Sequence, residues 1–305
     1  MLIAAPETVY GTAAASGYYG LDFKSCDLSS AIPLGDDPLL GRGRNAQDPY
    51  RGLVTDEGNA EIPFDVQGIG WWLTALFGAP TTTGAGPYTH VWKSGSDTIP
   101  FYTVEVGHPK LTTPVFFLHT GVVMESLAFD LGVEGPANGR IGMVAQGETS
   151  SATSKDDTPT RYALTRFSQG RGYIKKGGVQ LANVTAGNFN FSNTLERVRT
   201  IRPDGKIDAA DPTIAVCNGQ MTVRFDGVGL VAEAEAGDPI ELDYGFISGG
   251  SSLNFNMPRV FLPKPKYSVA GPGGVQAQFD WRAAYDAGDA TMLTATLINN
   301  VASYA

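Results

Sequence analysis

One segment of this chain recurs later in the same sequence. Residues 59–80 align without a gap on residues 218–239, which lie 159 positions further along. Within this alignment the identical pairs are Asn59/Asn218, Gly68/Gly227, Gly70/Gly229, Ala75/Ala234, Gly78/Gly237 and Pro80/Pro239. A repeat at this distance indicates a duplicated domain rather than a short solenoid unit. We therefore expect two copies of one module related by pseudo-symmetry.

A second, shorter match supports the same division of the chain. Residues 45–49 resemble residues 208–212 at a shift of 163. The 305 residues accommodate two domains of about 150 residues each. We predict a first module over residues 1–150 that includes an N-terminal arm. A polar linker over residues 151–160 and a second module over residues 161–305 follow.

The composition predicts a mainly β fold with one short helix in each module. The chain has 38 glycines and 19 prolines and only 17% charged residues, which favours turns and short strands over long helices. Apolar residues at helical spacing predict a helix over residues 63–77 and a weaker copy over residues 228–236. The residues expected to pack this helix onto the core of its module are Trp72, Leu73, Leu76 and Phe77. The predicted strands span residues 88–93, 100–107, 115–131, 140–148, 240–247, 252–262, 275–285 and 291–300.

The N-terminal 60 residues differ from the rest of the chain in composition and periodicity. They are rich in Gly, Ala and Pro and have little periodicity. This composition predicts an extended arm or a long loop, which neighbouring chains would hold in place.

The segment 275–285 is the clearest strand candidate. Its odd-numbered residues are apolar or aromatic, and four polar residues alternate with them: Gln276, Gln278, Asp280 and Arg282. Strict alternation predicts a strand with one face in a core and the other in water. These four residues are our candidates for the lining of a water-filled channel.

The charge of the chain is unevenly distributed. The formal net charge is −9, so the whole molecule should repel nucleic acid. Between Lys155 and Lys206, however, ten Lys or Arg residues face only four Asp or Glu residues. The pattern fits a solvated basic face, a nucleic-acid stripe or a patch that contacts the acidic remainder of another copy. The candidates for an inter-subunit basic patch are Arg161, Arg166, Arg171, Lys175, Lys176, Arg197, Arg199 and Arg202.

The sequence offers no set of residues for catalysis, for a cofactor or for a metal. Residues 41–46 fit the glycine fingerprint of nucleotide-binding folds, but they lack the strand before it and the helix after it. His90, His108 and His119 fit no ligand spacing. The loop acids Asp204, Asp208 and Asp211 lack the framework of a calcium loop. We expect a non-enzymatic protein without cofactors.

Targeting and redox signals are equally sparse. Cys26 and Cys217 are far apart and are expected to be free thiols. The N-terminus does not resemble a signal peptide, and the longest apolar stretch, residues 66–80, is too short to cross a bilayer. We therefore expect synthesis in the cytoplasm and no membrane partner.

Several motifs in a fixed order resemble one known family. The helix of residues 62–78 ends in Leu-x-x-Leu-Phe-Gly and is followed by Tyr88-Thr89-His90 and Thr103-Val104-Glu105. Downstream come Met257-Pro258-Arg259-Val260, then residues 271–274 (Gly-Pro-Gly-Gly) and Phe279-x-x-Arg282-Ala283-Ala284. Together they resemble the tail tube proteins of long-tailed bacteriophages over roughly residues 44–300.

This resemblance implies β-sandwich or partial-barrel modules, each flanked by one helix. In that family six modules close into a ring, and stacked rings form a hollow tube that conducts DNA within the virion tail. An acidic lumen would keep DNA from adhering. If each chain supplies two modules, three chains make a pseudo-sixfold ring, with a hexamer as the alternative. The expected partners are other copies of the chain, other phage tail proteins and DNA in transit.

Two other readings of the sequence stay open. A tube terminator or distal tail component built on the same module would stop at a single ring. A two-domain β-sandwich that binds glycan or peptide would stay monomeric and show an exposed aromatic cluster.

Overall fold

The computed structural model of the protein describes residues 1–39, 41, 43–224, 229–264 and 276–304. Within these residues lie 24 strands, two α-helices and one 3-10 helix, and 20 of the strands are connected in one sheet system. The predicted mainly β fold is confirmed.

The first half of the chain contains thirteen strands and one helix among the described residues. Their bounds are β1 Leu2–Pro6, β2 Tyr19–Gly20, β3 Ser25–Cys26, β4 Ser29–Ala31, β5 Leu34–Gly35, β6 Tyr50–Arg51, β7 Thr55–Pro63, α1 Ile69–Phe77, β8 Thr81–Thr83, β9 Tyr88–Lys93, β10 Phe101–His108, β11 Val115–Leu131, β12 Asn138–Val144 and β13 Gly147–Ser151.

The second half continues with eleven strands, a 3-10 helix and α2, again among the described residues. Their bounds are β14 Thr160–Arg161, the 3-10 helix Gln169–Arg171, β15 Gly172–Lys176, β16 Val179–Gln180, β17 Val184–Ser192, β18 Leu195–Val198, β19 Ala209–Pro212, β20 Val216–Arg224, α2 Gly229–Ala236, β21 Ile240–Ser248, β22 Ser251–Phe261, β23 Gln276–Ala283 and β24 Thr294–Asn299.

Helix α1 begins later than the sequence predicts. Pro63 is the last residue of β7 and pairs with Asn138, Asp65 forms a β-bridge with Arg166, and the helix begins only at Ile69. The Asp65 carboxylate accepts hydrogen bonds from the Gln67 and Gly68 amides at 2.8 and 2.6 Å, which fixes the turn before the helix. The helix ends where predicted, because Gly78 adopts a φ of 93°. Trp72, Leu73, Leu76 and Phe77 are all buried.

The predicted strands agree closely with the observed ones. The predicted bounds of β9 and β11 coincide with the structure, those of β10 and β22 differ by one residue at each end, and β21 differs by one residue at its C-terminal end only. The strand predicted over 140–148 is divided into β12 and β13. The interruption comes at Ala145 and Gln146, whose amides bond to Asp56 and Thr120 instead of continuing one ladder. The segment predicted as 275–285 starts outside the described residues at Val275 and ends at Ala283.

The N-terminal arm prediction is wrong for the first residues of the chain. Strand β1 pairs with β10 on one side and with β2 on the other. Leu2, Ile3, Ala4 and Ala5 are fully buried. A strand covered on both faces is continuously apolar and shows no alternation, which is why its pattern did not predict a strand. Intrachain pairing holds this segment, so no neighbouring chain is needed to order it.

Strand pairing follows the same order in the two halves. The first half has the order β4–β7–β12–β11–β10–β1, and the second half has the order β17–β20–β23–β22–β21–β15. A two-stranded hairpin, β5–β6 or β18–β19, lies in sequence between the first two strands of each series. A helix follows the second strand in both, ending at Phe77 and at Ala236.

The two halves share one hydrophobic core. Strand β11 of the first half pairs with β17 of the second, so the sheet is continuous across the junction. Phe129 stacks on Phe189 with ring centroids 4.8 Å apart, and Phe255 lies 5.1 Å from both rings. The polar linker is also attached to the fold, because the buried Glu105 carboxylate accepts hydrogen bonds from Ser154 Oγ at 2.6 Å and from the Lys155 amide at 2.8 Å.

Candidate functional site

Strand β23 separates its polar residues from its apolar ones. Gln276, Gln278, Asp280 and Arg282 are exposed, and the residues between them, Ala277, Phe279, Trp281 and Ala283, are buried. Tyr285, which the pattern placed on the buried side, lies beyond the end of the strand and is exposed. The four candidate channel residues therefore share one solvated face.

This face continues over six antiparallel strands in the order β7–β12–β11–β17–β20–β23. One unbroken row of directly opposed residues crosses it from edge to edge. The row consists of Glu61, Arg140, Ala128, Asn190, Asn218 and Arg282. Directly opposed residues of an antiparallel sheet point to the same side. The first and second halves thus contribute three strands each to one polar surface, which we call the polar face.

The polar face is nearly balanced in charge. Its outward residues on these six strands include three arginines, Arg140, Arg224 and Arg282, and four acids, Glu57, Glu61, Asp130 and Asp280, of which Glu57 pairs with Arg197 of the hairpin β18–β19. The Gln220 amide donates a hydrogen bond of 2.7 Å to Asp280. An open groove of about 650 Å³ runs along the face between Glu61, Arg140, Asp130 and Asn190.

The eight basic candidates are distributed over several elements. Lys175 and Lys176 lie together on β15, and Arg197, Arg199 and Arg202 lie on the hairpin β18–β19 and its loop. Arg161 lies on β14, Arg171 on the 3-10 helix, and Arg166 between them. The structure therefore places them on separate elements rather than along one stripe.

Several of these cations pair with acids of the same chain. Lys176 Nζ lies 2.6 Å from Glu233, and Arg161 lies 3.7 Å from Asp22. Arg166 instead donates to Asn138 Oδ1 at 2.6 Å and to the Ala137 carbonyl, so it holds the 135–138 turn.

The hairpin cations are paired in the same way. Arg197 reaches Glu57 at 2.8 Å and Glu125 at 3.5 Å, and Arg202 reaches Asp204 and Asp208 at 2.9 and 2.8 Å. Arg171 and Arg199 are exposed. These exposed arginines are the members of the set best placed to meet another molecule.

Comparison with known protein families gives an independent result. The sequence profile of the phage tail tube protein family matches residues 2–283. This chain belongs to the phage tail tube protein family. The match covers nearly the whole chain and includes β1, the segment for which the sequence resemblance was weakest. A comparison with curated proteins found no match.

Membership in this family makes the chain a structural subunit of the virion tail tube. The family is one of structural tail proteins, in line with the expected absence of catalytic motifs. Among the described residues of this tail tube protein, no helix has the length and apolar character needed to span a bilayer.

The polar residues that sequence reasoning set aside have structural roles in the tail tube protein. His90 lies between Thr82 Oγ1, at 2.8 Å from Nδ1, and the Val301 carbonyl, at 2.9 Å from Nε2. His119 contacts Asp56, and His108 lies exposed beside Phe117. In the glycine fingerprint 41–46, Arg42 lies outside the described residues, while Gly41 and Gly43 have φ values of 90° and 85°. These glycines shape the loop between β5 and β6.

The cysteines are free thiols in the described structure, Cys217 fully buried and Cys26 partly so. Burial raises the pKa of both thiols, which makes them poor nucleophiles at neutral pH. They fit a packing role rather than a redox one.

Sequence reasoning missed a set of buried carboxylates. Glu7 accepts hydrogen bonds from Thr103 Oγ1 at 2.8 Å and from the Gly11 and Gly121 amides at 2.9 and 3.0 Å. Burial raises the pKa of the Glu7 carboxyl despite these donors. Thr103 and Glu105 alternate with Tyr102, Val104 and Val106 on β10, a pattern that is typical of a strand with one solvated face. Loops from the N-terminus and the linker cover that face instead.

Proposed function

We propose that three copies of this chain close into a pseudo-sixfold ring, that such rings stack into a hollow tube, and that the polar face lines the channel through which DNA passes. The observation that carries the proposal is the polar face itself. Six strands, three from each half, present one uninterrupted polar surface opposite a shared apolar core. A sheet of this kind has the two-sided character of a water-filled barrel wall.

The stoichiometry rests on the repeated strand order. If each half is one module of the ring, a chain supplies two of the six modules and three chains complete it. The junction β11–β17 within the chain is then the template for each junction between chains. The strand equivalent to β17 in the first half is β4, preceded by β3. Among the described residues both pair on one side only, with β7. No strand among the described residues pairs with their outer edge, where the Ser30 amide bonds to the Glu148 side chain, and ring closure would cover the rest of that edge.

The charge of the polar face suits a channel through which DNA moves. Nucleic-acid affinity depends mainly on cations that neutralise phosphates. On the polar face each arginine is offset by an acid, so the surface offers no net positive patch to hold the phosphates. Asn188, Asn190, Asn218 and Gln278 between the charges keep the surface hydrated.

Electron microscopy of the purified protein, together with native mass spectrometry, tests this proposal. We expect rings or tubes with a central hole and three chains in each ring. Six chains per ring would overturn the stoichiometry of three chains. The proposal that the polar face lines a channel would still stand. Single rings that never stack would favour a terminator or distal tail component. A protein that remains monomeric at all concentrations would overturn self-assembly and favour the β-sandwich binding module.

A further inference from the structure

The hairpin of the second half packs against the first half of the same chain. Leu195, Ile207 and Ala210 of the hairpin β18–β19 and its loop are buried in a small cluster with Val123 of β11 and Val144 of β12. This cluster is separate from the main core. It lies where β11, β12 and the start of β7 come together.

Polar contacts fix the hairpin in this position. Arg197 pairs with Glu57 of β7 and Glu125 of β11. The Val54 amide donates a hydrogen bond of 2.9 Å to the Gly205 carbonyl at the hairpin loop. The contact between the two halves at this point is therefore both apolar and directional.

The equivalent hairpin of the first half has no such partner among the described residues. It is β5–β6, which lies between β4 and β7 as β18–β19 lies between β17 and β20. Leu34 and Tyr50 on its two strands are 67% and 59% exposed, and Leu53, just after β6, is exposed as well. A cluster of large apolar side chains on a projecting hairpin is typical of an interaction site.

The second half has an open cavity at the position that the docked hairpin occupies on the first half. In the first half, the hairpin residues Arg197, Arg199 and Ile207 lie over Thr55, Asp56, Val144 and Ala145, at the start of β7 and the end of β12. The repeat and the strand pairing match these four residues with Ile214, Ala215, Ala284 and Tyr285, before β20 and just after β23. In the second half they line a cavity of about 670 Å³ together with Phe261, Ala283 and Met292.

The cavity is open to solvent in the isolated chain. Ile214 is 83% exposed and Tyr285 is 63% exposed. Among the described residues that line it, Arg282 alone is charged, and it lies at the boundary between the cavity and the polar face. In the sequence of the hairpin β5–β6 and its loop, the acids Asp36, Asp37 and Asp48 are offset by Arg42, Arg44 and Arg51, so the match between the two surfaces lies in their apolar character.

We propose that the hairpin β5–β6 of one copy fills the cavity on the second half of the next copy. The contact repeats between chains the one that β18–β19 makes within a chain. Four strands, β12, β11, β17 and β20, separate β7 from β23. At a spacing of about 4.8 Å per strand, the hairpin of a chain starts roughly 24 Å from its own cavity, measured across the sheet. The occupant is therefore a second copy of this chain.

This inference rests on the proposed ring and names the surface that joins its members. The hairpin and the cavity are different surfaces, so the contact is heterologous, and its repetition closes a ring. Each ring of three chains would then contain six equivalent hairpin contacts, three within chains and three between them.

Paired variants test the contact. Leu34→Asp/Tyr50→Asp removes the hairpin surface, and Ile214→Asp/Tyr285→Asp removes the cavity surface. Because these side chains are exposed in the isolated chain, we expect both variants to keep the wild-type thermal unfolding midpoint. Each double variant on its own should reduce ring formation at least about tenfold, because burying a charge in place of a large apolar group lowers affinity by more than a factor of ten. Val133→Asp/Val179→Asp, at similarly exposed apolar positions, should assemble as the wild type does.

Mixing the two variants gives the decisive readout. The cavity of the hairpin variant and the hairpin of the cavity variant are both intact, so an equimolar mixture should form heterodimers but no rings. Rings from either variant alone, or equal loss of assembly in the control, would overturn the contact while leaving the ring proposal standing. If the wild type forms no rings, the ring proposal itself fails.

A second measurement applies if a variant does not fold. Leu34→Cys chains mixed with Tyr285→Cys chains, both in a Cys26→Ser background, should yield covalent dimers with a short bismaleimide. The absence of cross-linked dimers in assembled rings would overturn the contact.

Discussion

Both carboxylate oxygens of Asp56 lie 3.0 Å from Nδ1 of His119, and both side chains are completely buried. The pair joins β7 to β11 across the sandwich. His119 Nε2 lies 4.0 Å from Glu148 on β13, and the Glu148 carboxylate accepts a hydrogen bond from the Ser30 amide on β4. These successive contacts link the edge strand β4 to the centre of the first half.

Removing the acid from this pair should destabilise the fold. Asp56→Ala leaves the buried Nδ1 without its acceptor, so we expect a loss of about 3 kcal/mol in the free energy of unfolding, measured by urea titration. Asp56→Asn keeps one acceptor oxygen and should lose less. Glu196→Ala, at an exposed position, is the control and should change stability by less than about 0.5 kcal/mol. Equal stability of Asp56→Ala and the wild type would show that the pair contributes nothing.

The buried Glu7 predicts a specific dependence of stability on pH. Burial raises the pKa of Glu7 in the folded protein above its usual 4.5, so the folded state binds a proton more tightly than the unfolded state. The stabilisation from this group is fully present below pH 4.5 and is lost as the pH rises through the raised pKa. The difference in unfolding free energy between the wild type and Glu7→Gln should therefore shift in favour of the wild type as the pH falls from 7 to 4. A difference that stays constant, or that shifts the other way, would contradict this assignment.

The linker should be released when Glu105 is changed. The carboxylate of Glu105 holds Ser154 and the Lys155 amide, so Glu105→Ala should make the bond after Lys155 more accessible to trypsin. Limited proteolysis followed by mass spectrometry measures this, with cleavage after the exposed Lys110 as the internal control. Unchanged cleavage after Lys155 would mean that other contacts hold the linker.

Charge reversal should distinguish the basic residues that form ion pairs within the chain from those that are exposed. Arg197→Glu places a third acid beside Glu57 and Glu125, and we expect a loss of about 1 kcal/mol in the free energy of unfolding. Arg171→Glu and Arg199→Glu change exposed side chains and should leave stability unchanged. If the basic patch meets a neighbouring copy, these two variants should shorten or abolish tubes, as judged by electron microscopy. Tubes of normal length would refute an assembly role for them.

Much of this fold follows from local sequence patterns. The uninterrupted strand β11 and the alternating strand β23 are predictable from the sequence. The residue pattern of each strand reflects only the surroundings of that strand. Helix α1 was visible for the same reason, except at its start, where the side chain of Asp65 forms a turn instead. In such segments, periodicity alone determines which residues are buried.

The remaining features depend on contacts between distant parts of the chain. Residues Leu2–Pro6 form a strand because β10 and β2 pair with them. The sequence of these five residues gives no indication of either partner. Glu105 is buried because Ser154 and Lys155 cover it. The polar face exists because β11 pairs with β17, a junction between the halves that no local pattern marks. The equivalence of the hairpins β5–β6 and β18–β19 likewise emerges only from the pairing order.

A cysteine on the polar face would report on the channel. Gln278→Cys in a Cys26→Ser background should react with a small maleimide in assembled tubes. It should resist a maleimide on a polymer too large for the channel, whereas Ile201→Cys, on an exposed loop, should react with both. Equal labelling of Gln278→Cys by the large reagent in tubes would place this strand on the outer surface.

A cryo-electron microscopy reconstruction of the assembled protein tests the ring and its channel most directly. We expect rings with threefold symmetry in which both halves of each chain contribute to one continuous barrel. Gln278 and Arg140 should then face the central channel. A reconstruction in which the polar face points away from the channel, or in which one half lies outside the barrel, would contradict this proposal.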